Sequence, residues 1–245
     1  MPLSFSGHSA DALPDWNPDA LSVWPLAALS EDVGSSLELR TRELMLRLHR
    51  HHPESATHSI RVAGITMAMW RVAPDLLGDG GTALLGSLLH DIGKLCVPRE
   101  ILTSRGVLDA EEMAVMTAHA AKGAELLQAL GFPESIASVA GGHHERWSGG
   151  GYPTGLTARL QAPLVRAVAV ADAFDAMTDP DRTYRAPLGL EDALREVAAC
   201  SGTHFEPRAA EVLAVTLSAR TRRSPLPPPR RLSPDRNPAD LDVIH

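Results

Sequence analysis

An all-α fold is what this sequence predicts, on three observations. Aromatic residues are only 4% of the chain, so aliphatic side chains and alanine must fill the core, and alanine and leucine are the strongest helix formers. Helix-period apolar stripes recur along the chain with start and stop signals between them. No segment of convincing length alternates with the two-residue period of a strand, and no internal repeat is seen. The 245 residues suffice for one domain with extensions, and the core needs no disulfide or zinc staple.

Residues 1–36 hold four prolines and two glycines and read as loops with one or two short helices, with Trp16 and Trp24 as anchors onto the main body. The spacing of Leu37, Leu44 and Leu48 predicts an amphipathic helix over 37–50. Pro53 suits the first turn of the next helix, where a missing N–H costs nothing. That helix runs to about Val72 on a stripe of Val62, Ile65 and Met69, extended backwards onto His58 and Glu54. From Gly81 to Leu95 the chain is apolar nearly all round, the mark of a central buried helix, and it ends in His90-Asp91-Ile92-Gly93. Asp109 with Glu112 is a capping-box pattern opening one helix that stops at Gly131. Its inner face reads Met113, Met116, His119, Gly123, Leu127. Pro133 opens a further helix through Ile136, Val139 and His143, followed by a glycine-rich loop, 148–153. Three more helices are expected over 163–178, 190–200 and 207–222. The helical domain is therefore assigned to 37–222, and the proline- and arginine-rich residues 223–245 to a disordered tail.

Charge and composition exclude several classes. The net charge is −7, and residues 220–245 carry six arginines against three aspartates, so the rest of the chain is still more acidic. A body of that sign does not steer a polyanion, and no DNA partner is expected. Two cysteines, Cys96 and Cys200, do not make a disulfide framework and fit a reducing cytoplasm. No apolar run reaches the 18 or so residues of a membrane span, and Met1 to Ser6 lacks the pattern of a secretory signal.

Eleven histidines are present, and five of them, His58, His90, His119, His143 and His144, fall on or beside apolar helix faces. One such histidine is an ordinary core residue. Five such histidines, gathered from four helical segments, need buried partners, because an unpaired imidazole is costly to bury. Glu54, Asp91 and Asp172 are carboxylates at matching inward positions. Histidine with carboxylate suits iron, manganese or zinc, and the lack of paired cysteines argues against a thiolate zinc site. Adjacent residues at a helix end diverge by about 100°, so His90 can bind one ion while Asp91 bridges to a second, and His143-His144 can likewise serve two sites. Two ions about 3.5–4 Å apart is the arrangement used for in-line displacement at phosphorus.

His90-Asp91-Ile92-Gly93-Lys94 resembles the HDxGK motif of HD-superfamily phosphohydrolases, and His143-His144-Glu145-Arg146-Trp147 followed by Gly151-Tyr152-Pro153 resembles the HD-GYP subfamily. The resemblance extends over Ala171-Asp172-Ala173-Phe174-Asp175-Ala176, Arg182-Thr183-Tyr184-Arg185 and Gly202-Thr203-His204-Phe205-Glu206-Pro207. It implies an HD-type helical bundle around a buried di- or trinuclear centre of iron, with manganese as the alternative. It also implies hydrolysis of cyclic di-GMP to pGpG or GMP in bacterial second-messenger signalling. His58, His90, Asp91, His119, His143, His144 and Asp172 take the ligand positions, and Glu54 matches the extra carboxylate of members that hold three ions. Asp91 and Lys94 match catalytic positions, with Lys94 contacting phosphate. Arg182 and Arg185 match residues that hold the nucleotide. Tyr152 lies in the loop the family uses near substrate and partner proteins; a homodimer is left open. Ser148 departs from the family's aspartate, and Thr157–Ala162 fits the pattern poorly. Before residue 37 no sensor or receiver pattern is read. Two other readings compete: a slow cyclic di-GMP receptor, and a mononuclear HD enzyme acting on nucleoside phosphates.

Overall fold

The computed structural model describes residues 34–180 and 186–221. The expectations for Trp16, Trp24, the N-terminal region and the tail from 223 lie outside those residues. Among the described residues there are helices and short helical turns but no strand, and a single bridge pairs Ser201 with Phe205. Helix α1 is Gly34–His51, α2 Pro53–Val72, α3 Pro74–Leu77, α4 Gly80–Leu88, α5 Arg99–Leu102, α6 Ala110–Thr117, α7 His119–Ala129, α8 Glu134–Gly142, α9 Pro163–Thr178, α10 Leu190–Ala199 and α11 Pro207–Thr221.

Among the described residues, two apolar clusters form the core. One gathers α1, α4, α7 and α8 through Leu48, Leu85, Leu89, Leu127 and Ile136. The other gathers α9, α10 and α11 through Val168, Phe174, Val197 and Leu213. Helix α2 serves both, giving Ala56 and Ala63 to the first and Val62 and Met69 to the second. A helix wedged between two clusters shows no single stripe, which is why small residues line much of α2. Each fully buried side chain such as Leu48 or Met69 contributes about 1.5–3 kcal/mol relative to exposure.

Two long helices expected from the sequence are each divided. The apolar run from Gly81 to Leu95 is helical only to Leu88; the chain then turns through His90-Asp91 and resumes as a tighter 3-10 turn, Ile92–Cys96. Backbone contact requires this: a Cβ at Gly93 would meet the carbonyl oxygen of His119 at 1.9 Å and the amide of Gly123 at 2.6 Å. The turn thus lies directly on α7, and an apolar pattern carries no record of that approach. The segment opened by Asp109 also breaks, between α6 and α7 at Ala118. There His119 Nδ1 takes the Met116 carbonyl at 2.7 Å, the acceptor a continuous helix offers to the Ala120 amide. The capping box itself forms: Asp109 Oδ1 accepts the Glu111 and Glu112 amides at 2.9 Å, and Glu112 accepts the Asp109 amide at 3.0 Å.

Candidate metal centre

The division of α4 places His90 and Asp91 in a turn at the centre of the bundle, both fully buried. Around them stand His58 from α2, His119 at the start of α7, His143 and His144 at the end of α8, and Asp172 from α9. Their ligand atoms fall into two groups. His58, His90 and Asp172 form one; Asp91, His119, His143 and His144 form the other; within each group the atoms lie within 4.8 Å of one another.

Asp91 joins the groups. Its Oδ2 is 3.5 Å from His90 Nε2 and 3.8 Å from His58 Nε2. Its Oδ1 is 3.3 Å from His119 Nε2 and 3.8 Å from His143 Nε2. One carboxylate thus offers one oxygen to each side. Burial alone would raise the Asp91 pKa, but the Lys94 ammonium and the surrounding histidines hold it well below the usual carboxylate range.

The imidazole orientations are fixed from behind. His90 Nδ1 is 2.8 Å from the Ser87 carbonyl, His119 Nδ1 2.7 Å from that of Met116, and His143 Nδ1 3.0 Å from that of Ala140. A carbonyl only accepts, so each Nδ1 carries the hydrogen and each Nε2 presents its lone pair to the interior. Burial, with His90 beside it, holds the His143 pKa well below its ordinary value, which keeps it neutral.

These groups fit a metal on the evidence of their own orphaned atoms. His90 Nε2 and Asp91 Oδ1 are buried without a hydrogen-bond partner among the described residues. His119 Nε2 lies 3.4 Å from His143 Nε2 and 3.2 Å from His144 Nε2. Lone pairs converge at such distances when a cation stands between them, and buried polar atoms without partners are otherwise costly.

His58 is held differently. Its Nδ1 is 2.7 Å from Asp175 Oδ2 and its Nε2 2.8 Å from Asp172 Oδ1. Burial disfavours the imidazolium, yet the two carboxylates outweigh it and push the pKa up to about 10. Asp175 in turn accepts from Arg61 Nε at 2.8 Å and Arg61 Nη2 at 2.8 Å, and the same guanidinium reaches Asp179 at 2.6 Å. Asp175 and Arg61 had no assigned role in the sequence reading. The available signal was spacing: each lies three residues beyond a ligand candidate, Asp172 or His58, on the same helix face. A carboxylate behind a ligand histidine fixes its tautomer and orientation.

Lys94 is buried, and its ammonium donates to Asp91 Oδ2 at 2.7 Å. Tyr152 comes in from the glycine-rich loop and stacks on His144, with ring centroids 4.5 Å apart. Ser148 is exposed at the loop's base, its amide donating to the Thr203 carbonyl at 2.8 Å. Thr157–Ala162 includes a short 3-10 turn, Ala158–Leu160.

Glu54 does not join the cluster. Its side chain is 70% exposed and lies 3.5 Å from His52 Nε2. Four-residue spacing from His58 fixes only the direction of the Cβ; the first turn of α2 stands at the surface, with Pro53 exposed beside it, and a long side chain there extends into solvent. Arg182 and Arg185 lie outside the described residues.

Fold and site together define a helical bundle built around a buried histidine–carboxylate centre. The HD domain family model matches residues 49–209, and the chain belongs to that family. It is 42% identical over 125 residues to a cyclic di-GMP phosphodiesterase of Thermotoga maritima, covering 50% of this chain and 34% of that protein. It is 39% identical over 133 residues to 3'3'-cGAMP-specific phosphodiesterase 2 of Vibrio cholerae, covering 52% of this chain and 24% of that one. The chain thus spans about a third or less of these relatives' length. An HDG"Y"P protein of Bdellovibrio bacteriovorus shares the fold, with a TM-score of 0.56 at 18% identity over 82% of this chain and 67% of that one.

Proposed function

We propose that this chain is a metal-dependent phosphodiesterase that opens a cyclic dinucleotide, cyclic di-GMP first, giving pGpG or GMP. The observation that carries this reading is the pair of ligand groups sharing one carboxylate, Asp91, inside a single buried cluster. A mononuclear enzyme needs only one such group, which disfavours the nucleoside-phosphate reading. The names of the relatives, a cyclic di-GMP and a 3'3'-cGAMP phosphodiesterase, supply the substrate class.

His58, His90 and Asp172 would hold one ion, and His119, His143 and His144 a second, with Asp91 between them. Imidazole and carboxylate without thiolate suit iron, with manganese as the alternative. When bound, such a pair supplies Lewis acidity and a nucleophile at neutral pH.

The chain's own groups do the remainder. Lys94 donates to Asp91 and is placed to meet the phosphoryl oxygens of a diester. Tyr152 stacks on His144 beside the second group, where burial and the nearby Asp172 and Asp91 push its phenol pKa up, so it stays neutral and can donate a hydrogen bond to substrate. Arg182 and Arg185 hold the nucleotide by charge-assisted contacts; replacing both with alanine should raise KM and leave metal content unchanged. Pro153 is exposed on the same loop and leaves that edge to a protein partner. Both described cysteines are free, which fits a cytoplasmic setting.

The test is turnover of cyclic di-GMP and 3'3'-cGAMP by protein loaded anaerobically with Fe(II) or Mn(II), with the products separated. Tight binding without turnover would favour the receptor reading. Hydrolysis of nucleoside monophosphates alone would favour the mononuclear one.

A further inference from the structure

His144 is oriented from a loop. It is only half-buried, and the Tyr152 ring lies nearly parallel to it, 27° between planes. The Tyr152 amide donates to the His144 carbonyl at 3.2 Å. Gly151 presses so closely on this backbone that a Cβ would meet the His144 carbonyl oxygen at 2.4 Å and the Arg146 amide at 2.6 Å. The next residue closes the arrangement. Glu145 is buried, and its Oε1 accepts both the Thr154 amide and the Thr154 hydroxyl, each at 2.7 Å. Its Oε2 is buried without a hydrogen-bond partner among the described residues.

From this we infer that Glu145 is a positioning residue: it latches the 151–154 segment so that Tyr152 holds the His144 ring toward the second ligand group. Burying a carboxylate with one oxygen unsatisfied costs free energy, and two charge-assisted bonds to a single residue offset part of that cost. The latch therefore spans two residues on each strand of the loop: Glu145 grips Thr154, and Tyr152 covers His144. This inference rests on the reading of the cluster as a metal centre.

Calorimetric titration with Co(II), followed in parallel by its visible absorption, tests it on the metal-free chain. Wild-type protein should show two binding events. In Glu145→Ala one event should weaken by about 10–100-fold with a changed absorption band, while the event at His58, His90 and Asp172 holds. Glu145→Gln should restore most of the binding, because its carbonyl oxygen still accepts from Thr154. Tyr152→Leu should reproduce the loss and Tyr152→Phe should not. Should Glu145→Ala fail to fold, Thr154→Val, which removes the hydroxyl donor alone, should weaken the same event to a lesser degree. Unchanged binding in these variants overturns the inference. So does equal weakening of both events in step with a lower Tm and no rescue by glutamine, which marks a merely structural role. A wild-type chain that takes up no Co(II) removes the metal centre itself, a separate failure.

Discussion

The histidines of the cluster are braced by different means. His119 and His143 are held by carbonyls three residues earlier in their own chain segments, and His90 is held the same way. His58 is held by Asp172 and Asp175, which lie 114 and 117 residues away on α9, and Asp175 is itself tied to Arg61. Local bracing comes with the helix end and costs no extra side chain. Long-range bracing brings a buried ionic network that depends on α2 and α9 packing correctly. The His58 side is therefore the half that fold-level disturbance should reach first, and Asp91 is where the two halves meet.

Removing the shared group should do most damage. Asp91→Asn keeps the shape but loses the charge both groups use, so activity should fall by on the order of 10⁴-fold, as for a member of a unit that acts together. It also leaves the buried Lys94 ammonium without its carboxylate, a loss of about 3–5 kcal/mol. Adding Lys94→Met should recover Tm but not turnover. Wild-type turnover in Asp91→Asn would end the shared-carboxylate reading.

The carbonyl-braced pair in the second group, His119 and His143, is reached most directly through the backbone. Gly93→Ala drives a Cβ into the His119 carbonyl and should cost at least about 1–3 kcal/mol by thermal melting. Metal titration should then show the His119 group weakened ahead of the other. Loss confined to the His58 side would contradict the division.

The remotely braced half answers to one side chain. Asp175→Asn should weaken the ion held by His58, His90 and Asp172 by about 10–100-fold, with the His119 group unchanged. Equal binding at both groups would show that Asp175 serves α2–α9 packing alone.

The smallest effect is a pH signature in the metal-free chain. The folded pKa of His58 is raised to about 10, so its stabilisation is complete below about 6.5 and is lost as pH rises from there through 10. The folded pKa of His143 is lowered, so its contribution is present above about 6.5 and is lost as pH falls below that. Tm should therefore decline on both sides of about pH 6.5, and Asp175→Asn should flatten the alkaline side only. An alkaline limb unchanged in that variant would detach it from His58.

The sequence by itself determined the helical class, the start of α6 at Asp109 and the set of inward histidines, because caps and apolar periods are local and written in neighbouring residues. It also carried His90, Asp91, His119, His143, His144 and Asp172 as one set, through motif order. Tertiary structure decided what local patterns do not encode. Helix α4 stops before His90 because Gly93 meets α7 backbone to backbone, so an apolar run that reads as one helix becomes a helix, a turn and a 3-10 segment. Glu54 shares a helix face with His58 but ends in solvent, since a face gives a direction and not a depth. Asp175 and Arg61 gained their roles only when α2 and α9 came together: an ion pair spanning more than a hundred residues leaves no period in the sequence, and proximity alone fixes which carboxylate stands behind which histidine.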